Sequence, residues 1–168
     1  MISVAGRGAI PLHLAPTDLK ALVESSLSLL GQQAKVADVA LRIDVDEEIP
    51  AITLDSPKIA WAITTLVGNA LRYVRRGFHV MPGGAITVRA TYDGGTREVA
   101  LVVQDDGPGM AAGTLASLFD ARAGRPPTGL ALLMIRDVVA AHGGDIDVQS
   151  STDGFNHGTT IRITLPAA

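Results

Sequence analysis

The chain has 168 residues, 47% of them hydrophobic, with a mean hydropathy of +0.29 and a net charge of −3 at pH 7. That length holds one domain with a substantial core, the composition excludes a disordered chain, and the mildly acidic balance leaves no electrostatic footprint for nucleic acid. The absence of cysteine excludes disulfides and thiolate zinc sites. The four histidines, His13, His79, His142 and His157, are scattered without ligand spacing and read as structural or surface residues. No apolar run reaches about eighteen residues and the start lacks a signal-peptide pattern, so a cytoplasmic chain making no membrane contact is expected.

In chain order the expected elements are a helix near 17–32, strands near 38–45 and 50–54, and a helix near 56–76. Strands near 85–93 and 97–105, a helix near 129–142, and strands near 144–149 and 159–165 follow. The second helix is the most legible. Ser56 can cap it with Pro57 at its first position. Ile59, Ile63, Leu66, Ala70 and Val74 recur at spacings of three and four and form a core face, whereas Thr65, Asn69, Arg72 and Tyr73 share a polar one. Asn is a poor helix former and is costly to desolvate, so Asn69 needs a partner, either a local backbone group or a ligand. The stretch Arg75 to Gly84 that follows reads as a helix extension or a contact surface.

The apolar run Val99-Ala100-Leu101-Val102-Val103 leads into Asp105-Asp106-Gly107-Pro108-Gly109. It sets a carboxylate at the end of a buried strand, where it can accept from an exocyclic amino group, with glycines beyond it that take φ > 0 and allow close approach to the backbone. This pattern suits a nucleotide pocket, and also an ordinary strand-to-loop turn. Further on, Thr128 can cap a helix running through Leu130, Ala131 and Leu132 to His142, and Gly143-Gly144 can stop it. Its first turn offers unpaired N–H groups and the positive end of a dipole to phosphate oxygens. The segments Asp145-Ile146-Asp147-Val148-Gln149 and Thr159 to Leu165 alternate as half-buried strands do.

An Asn-bearing helix, a DxGxG loop, a Gly-led helix and a closing GTT strand ending in Leu-Pro, in that order, resemble the catalytic ATP-binding domain of sensor histidine kinases. These belong to the superfamily that includes gyrase, heat-shock protein 90 and mismatch-repair ATPases. The resemblance covers about Leu14 to Pro166. It implies a Bergerat-type two-layer α/β sandwich, a mixed and mainly antiparallel sheet of about five strands with three helices on one face. By the same resemblance Asn69 ligates Mg²⁺, Arg72 lies near phosphate and Tyr73 packs by the base. Asp105 binds the adenine amino group, Gly107 and Gly109 shape the pocket floor, Thr128 and Gly129 meet the phosphates, Thr159 lies on the adenine side, and Met110 and Leu130 are further ATP-binding residues. The implied reaction passes the γ-phosphoryl of Mg-ATP to a histidine on a separate dimerisation domain, with no nucleophile in this chain. Its implied partners are that phosphoacceptor domain and a response regulator. Residues 1–16 read as a linker following an absent dimerisation hairpin, and 17–168 as the catalytic domain, in a parent that can be membrane-anchored.

Three departures matter. Thr65 stands where relatives carry Asn or an acidic residue, so no carboxylate is there to activate water and weak ATPase activity at most is expected. Ala131 replaces the second Gly of the usual GxG, and its methyl group crowds the phosphate turn. The segment between Leu118-Phe119 and Thr128 makes a short lid, in which Arg122 and Arg125 either reach phosphate or remain solvated. Two alternatives stand beside the histidine kinase reading: a serine kinase acting as an anti-sigma factor, and a degenerate docking module for a response regulator. The first is disfavoured by Thr65. The second is favoured by Thr65, Ala131 and the short lid, and opposed by the intact Asn69, Asp105, Gly107, Gly109 and Gly129.

Overall fold

A computed structural model describes residues 10–77, 84–107, 109, 127–152 and 157–167, with the side chains of 73, 75–77 and 127–130 outside the description. The elements are β1 (Ala15–Thr17), α1 (Leu19–Val36), β2 (Val39–Val45), β3 (Ile52–Leu54), α2 (Ser56–Gly77), β4 (Gly84–Asp93), β5 (Glu98–Asp105), α3 (Pro127–Ala141), β6 (Asp145–Ser151) and β7 (Gly158–Pro166). Five strands form one sheet in the order β2-β4-β5-β7-β6, in which β2 and β4 are parallel and the other pairs antiparallel. The mixed five-stranded sheet under three helices agrees with the expectation from sequence.

Alternation decides which face of the sheet is covered. Ile86, Val88 and Ala90 on β4, Val99, Leu101 and Val103 on β5, and Ile163 and Leu165 on β7 are buried, while the intervening Arg89, Gln104 and Arg162 are exposed. The helices supply the other half of the core. α2 lies between α1 and α3 and rests on β4 and β5. Its five anticipated core residues, Ile59, Ile63, Leu66, Ala70 and Val74, are all buried, joined by Ala62, Val67 and Leu71.

Two expectations need correction. The strand anticipated near 50–54 is outside the main sheet: β3 pairs antiparallel with β1, a three-residue strand whose Ala-Pro-Thr sequence carries no alternation to reveal it. The cap of α2 is Asp55 rather than Ser56. Asp55 Oδ1 accepts from the Lys58 N–H at 3.2 Å, and Ser56 Oγ instead pairs with Thr17 Oγ1 at 2.9 Å, tying α2 to β1. Asp55 is preferred because it also serves the tertiary structure. Its Oδ2 accepts from the His13 N–H at 2.9 Å and from Lys58 Nζ at 3.1 Å. The backbone N–H of Asp55 donates to His142 Nε2 at 3.0 Å, which leaves the ring proton on Nδ1 to meet the Val138 carbonyl at 2.8 Å. One buried carboxylate thus fastens the segment before α1, the start of α2 and, through its own backbone, the end of α3. His142 is structural, as the sequence suggested.

The other helix ends follow their signals closely. Asp18 caps α1, accepting from the Ala21 N–H at 3.3 Å, so the helix starts two residues later than expected and ends four residues later, at Val36. Gly143 and Gly144 stop α3 by donating to the carbonyls of Ala140 and Val139 at 2.9 and 3.0 Å. α3 begins at Pro127, one residue before the anticipated cap Thr128, which therefore lies inside the first turn.

Candidate functional site

The central strand β5 ends at the residue singled out in the sequence. In register, Asp105 sits opposite Ile86 of β4 and Thr159 of β7, so its carboxylate emerges between two neighbours at the edge of the core. It is only 9% exposed. The Gly107 N–H donates to Asp105 Oδ1 at 2.8 Å, and the Thr159 N–H bonds the same carboxylate. Burial pushes the carboxyl up from its ordinary 3.8 to about 6, against the pull of those two N–H groups; the neighbouring Asp106 pushes it the same way as burial, and His157 pulls it down. A buried carboxylate with remaining acceptor capacity is suited to a ligand that brings its own N–H donor.

Asp106 holds the strand end in place. Its Oδ1 accepts from the Ala85 N–H at 2.9 Å, while its own N–H donates to the Ala85 carbonyl at 3.2 Å, adding one rung to the β4–β5 ladder. Two glycines then allow the backbones to close on one another. Gly109 has φ +79°, and a Cβ there would overlap the Ser151 carbonyl; Gly158 has φ +139°, and a Cβ there would overlap the Asp105 carbonyl. The anticipated φ > 0 at Gly109 is therefore present, and the close approach it permits is to the end of β6. Beside it, Ser150 Oγ donates to the Gly158 carbonyl at 3.0 Å, leaving the Thr159 hydroxyl to donate to Ser150 Oγ at 2.9 Å. His157, read from sequence as one more scattered histidine, lies next to this cluster with Nδ1 2.7 Å from the Gly107 carbonyl.

On α2, Thr65, Asn69 and Arg72 share a face as their spacing required. With Gly68, Leu71 and Gln33 they line a groove of about 440 Å³ between α1 and α2. Gln33 had no sequence signal, because it falls on the otherwise solvated side of α1. The donors in this groove are neutral amides and a hydroxyl with one guanidinium, and among the described residues no cluster of three or more His, Asp or Glu could hold a metal by itself. Of the remaining anticipated site residues, Tyr73, Thr128, Gly129 and Leu130 are placed only by their helices. Met110 and the lid residues Arg122 and Arg125 lie outside the described residues, as does His79.

The profile of histidine kinase-, DNA gyrase B- and HSP90-like ATPases matches residues 54–168, from just before α2 to the end of the chain. The chain belongs to this ATPase family. It is 32% identical over 160 residues to the sensor histidine kinase ZraS of Escherichia coli K12, covering 93% of this chain and 32% of that protein. The crystal structure of full-length ShkA in complex with AMPPNP superposes with a TM-score of 0.79 at 26% identity, over 95% of this chain and 32% of that one. The mycobacterial sensor histidine kinase MprB gives a TM-score of 0.73 at 25% identity, over 92% of this chain and 97% of that one. The chain spans about a third of the length of ZraS and its curated relatives. It is thus homologous to the catalytic ATP-binding part of sensor histidine kinases, and the ATP-binding expectation rests on family membership as well as on the Asp105 motif. No described helix is long and apolar enough to cross a membrane.

Proposed function

We propose that this chain binds Mg-ATP and transfers its γ-phosphoryl to a histidine on a separate dimerisation domain, in the cytoplasm, for onward passage to a response regulator. The observation that carries the reading is the buried Asp105 at the end of β5, poised with spare acceptor capacity beside Gly107 and Thr159. In this reading Asp105 takes the adenine amino group, with Thr159 and the Gly107–Gly109 turn around the base, Tyr73 against it, Arg72, Thr128 and Gly129 toward the phosphates, and Met110 and Leu130 as further ATP-binding residues. Asn69 would hold Mg²⁺ through its carboxamide oxygen, the kind of hard ligand the ion takes. The groove offers oxygen ligands only from neutral groups, with the Arg72 guanidinium beside them, which fits an ion that arrives already bound to phosphate oxygens rather than one held by the protein alone. Bound there, Mg²⁺ neutralises charge on the phosphates. The protein's own part is position and charge, since the acceptor is an imidazole elsewhere and needs no water-activating base at Thr65.

Ligand that binds only the native state stabilises it by about 2.7 kcal/mol at a hundredfold excess over Kd, so Mg-ATP should raise the melting temperature by several degrees. Labelled ATP should then give an acid-labile phosphoprotein only when a helical phosphoacceptor hairpin is added in trans. No melting shift and no calorimetric heat at millimolar Mg-ATP would replace this reading with the docking module.

Asn69→Ala isolates the metal's role. Ala is the better helix former, so melting without nucleotide should be unchanged or slightly raised, while the Mg²⁺-dependent part of ATP affinity is lost. A variant that unfolds, together with wild-type binding indifferent to Mg²⁺, assigns Asn69 a purely structural part.

A further inference from the structure

His157 has no place in the four motifs that carry the family resemblance, yet it meets the nucleotide loop directly. The Gly107 carbonyl can only accept, so the 2.7 Å contact requires the proton on Nδ1 of the imidazole. That bond joins the residue just before β7 to the turn just after β5. The same turn gives the Gly107 N–H to Asp105 at 2.8 Å, and two residues beyond His157 the Thr159 N–H reaches the same carboxylate. Between them Gly158 packs without room for a Cβ against the Asp105 carbonyl. Gly107 is therefore held on both sides of its Cα, its N–H by Asp105 and its carbonyl by His157, and His157 sets the tilt of the turn from which one of the two N–H donors comes.

We propose that His157 is a positioning residue for base recognition: its Nδ1–H anchors the Gly107 turn and so aims the Asp105 carboxylate at the adenine amino group. The proposal rests on the reading of Asp105 as the base-binding residue. It separates His157 from an ordinary half-buried histidine, because the role belongs to one donor atom rather than to the volume of the ring. Asn offers a side-chain N–H close to the position of Nδ1, and Leu offers comparable bulk with no donor.

The chain as it stands can be tested by calorimetry with Mg²⁺ present, using ATP, GTP and inorganic tripolyphosphate as probes. His157→Leu should weaken ATP about tenfold and bring the ATP-to-GTP preference near unity, with tripolyphosphate affinity unchanged; His157→Asn should restore most of the preference. Equal loss for ATP and tripolyphosphate, an Asn variant as poor as Leu, or a Leu variant with wild-type preference would each overturn the proposal. Failure of the wild type itself to bind ATP would instead remove the function on which it rests. A measurement without any variant guards against misfolding: long-range proton–nitrogen NMR correlations on the neutral wild-type ring should show the proton on Nδ1, and an Nε2–H tautomer overturns the proposal whatever the nucleotide does.

Discussion

Replacing Asp105 by Asn is expected to stabilise the nucleotide-free protein at neutral pH and to erase its preference for adenine. The folded carboxyl titrates near 6 against an ordinary 3.8, chiefly because burial disfavours the charge. The stability linked to its protonation is fully present below pH 3.8 and is lost as pH rises through about 6, so at pH 7.5 the wild type bears the whole cost of a buried anion. Asn keeps an oxygen for the Gly107 N–H and carries no charge. A gain of about 1–3 kcal/mol, or very roughly 3–9 °C in melting temperature, is expected at pH 7.5 and should shrink as pH approaches 4. Binding should move the other way. A charged hydrogen bond is worth about 1.5–3 kcal/mol, so the wild type should prefer ATP to GTP at least tenfold. The Asn amide opposes the adenine amino group with a donor of its own and can give a hydrogen to the guanine carbonyl, bringing the ratio near unity. Unchanged melting would show that the carboxylate is not penalised in the fold, and unchanged selectivity would remove it from base reading.

The second buried carboxylate behaves oppositely. Asp55 is 1% exposed, and the His13 N–H foremost, followed by the Lys58 backbone and ammonium groups, outweighs burial and draws its carboxyl down to about 2. Its contribution is therefore present above pH 3.8 and lost as pH falls toward 2. Asp55→Ala removes a helix cap and leaves the His13 and Lys58 donors without their carboxylate acceptor. We expect a loss of about 2–4 kcal/mol, and a melting temperature lowered by roughly 5–12 °C in thermal scans at pH 7. Asp55→Asn should recover the cap but not the ion pair, falling between the two. If Ala melts like the wild type, the three segments are held by packing alone.

The sequence revealed most where one element carried a long pattern. Five core residues of α2 and the shared face of Thr65, Asn69 and Arg72 follow from helical spacing alone, and the run into Asp105 marked the site because a carboxylate at the end of a buried strand is unusual. Its failures were tertiary. Asp55 and Ser56 are adjacent residues of equal capping merit, and the choice between them is made by His13 and His142, far away along the chain. β1 is too short to show a period and is defined only by its partner β3. His157 and Gln33 looked unremarkable because their value comes from what the fold brings beside them.

The parallel pairing of β2 with β4 also constrains how the molecule assembles. Antiparallel neighbours such as β4 and β5 can zip from a short turn, whereas parallel strands need a long crossover before their first rung can form. Here that crossover contains β3 and all of α2. The edge strand β2 can therefore join the sheet only after the helix bearing Asn69 has been laid across it, which makes this step a non-local and comparatively slow one. Substitutions that weaken α2 should delay the arrival of β2 during folding, and the half-built sheet would meanwhile present β4 as an open edge to other chains.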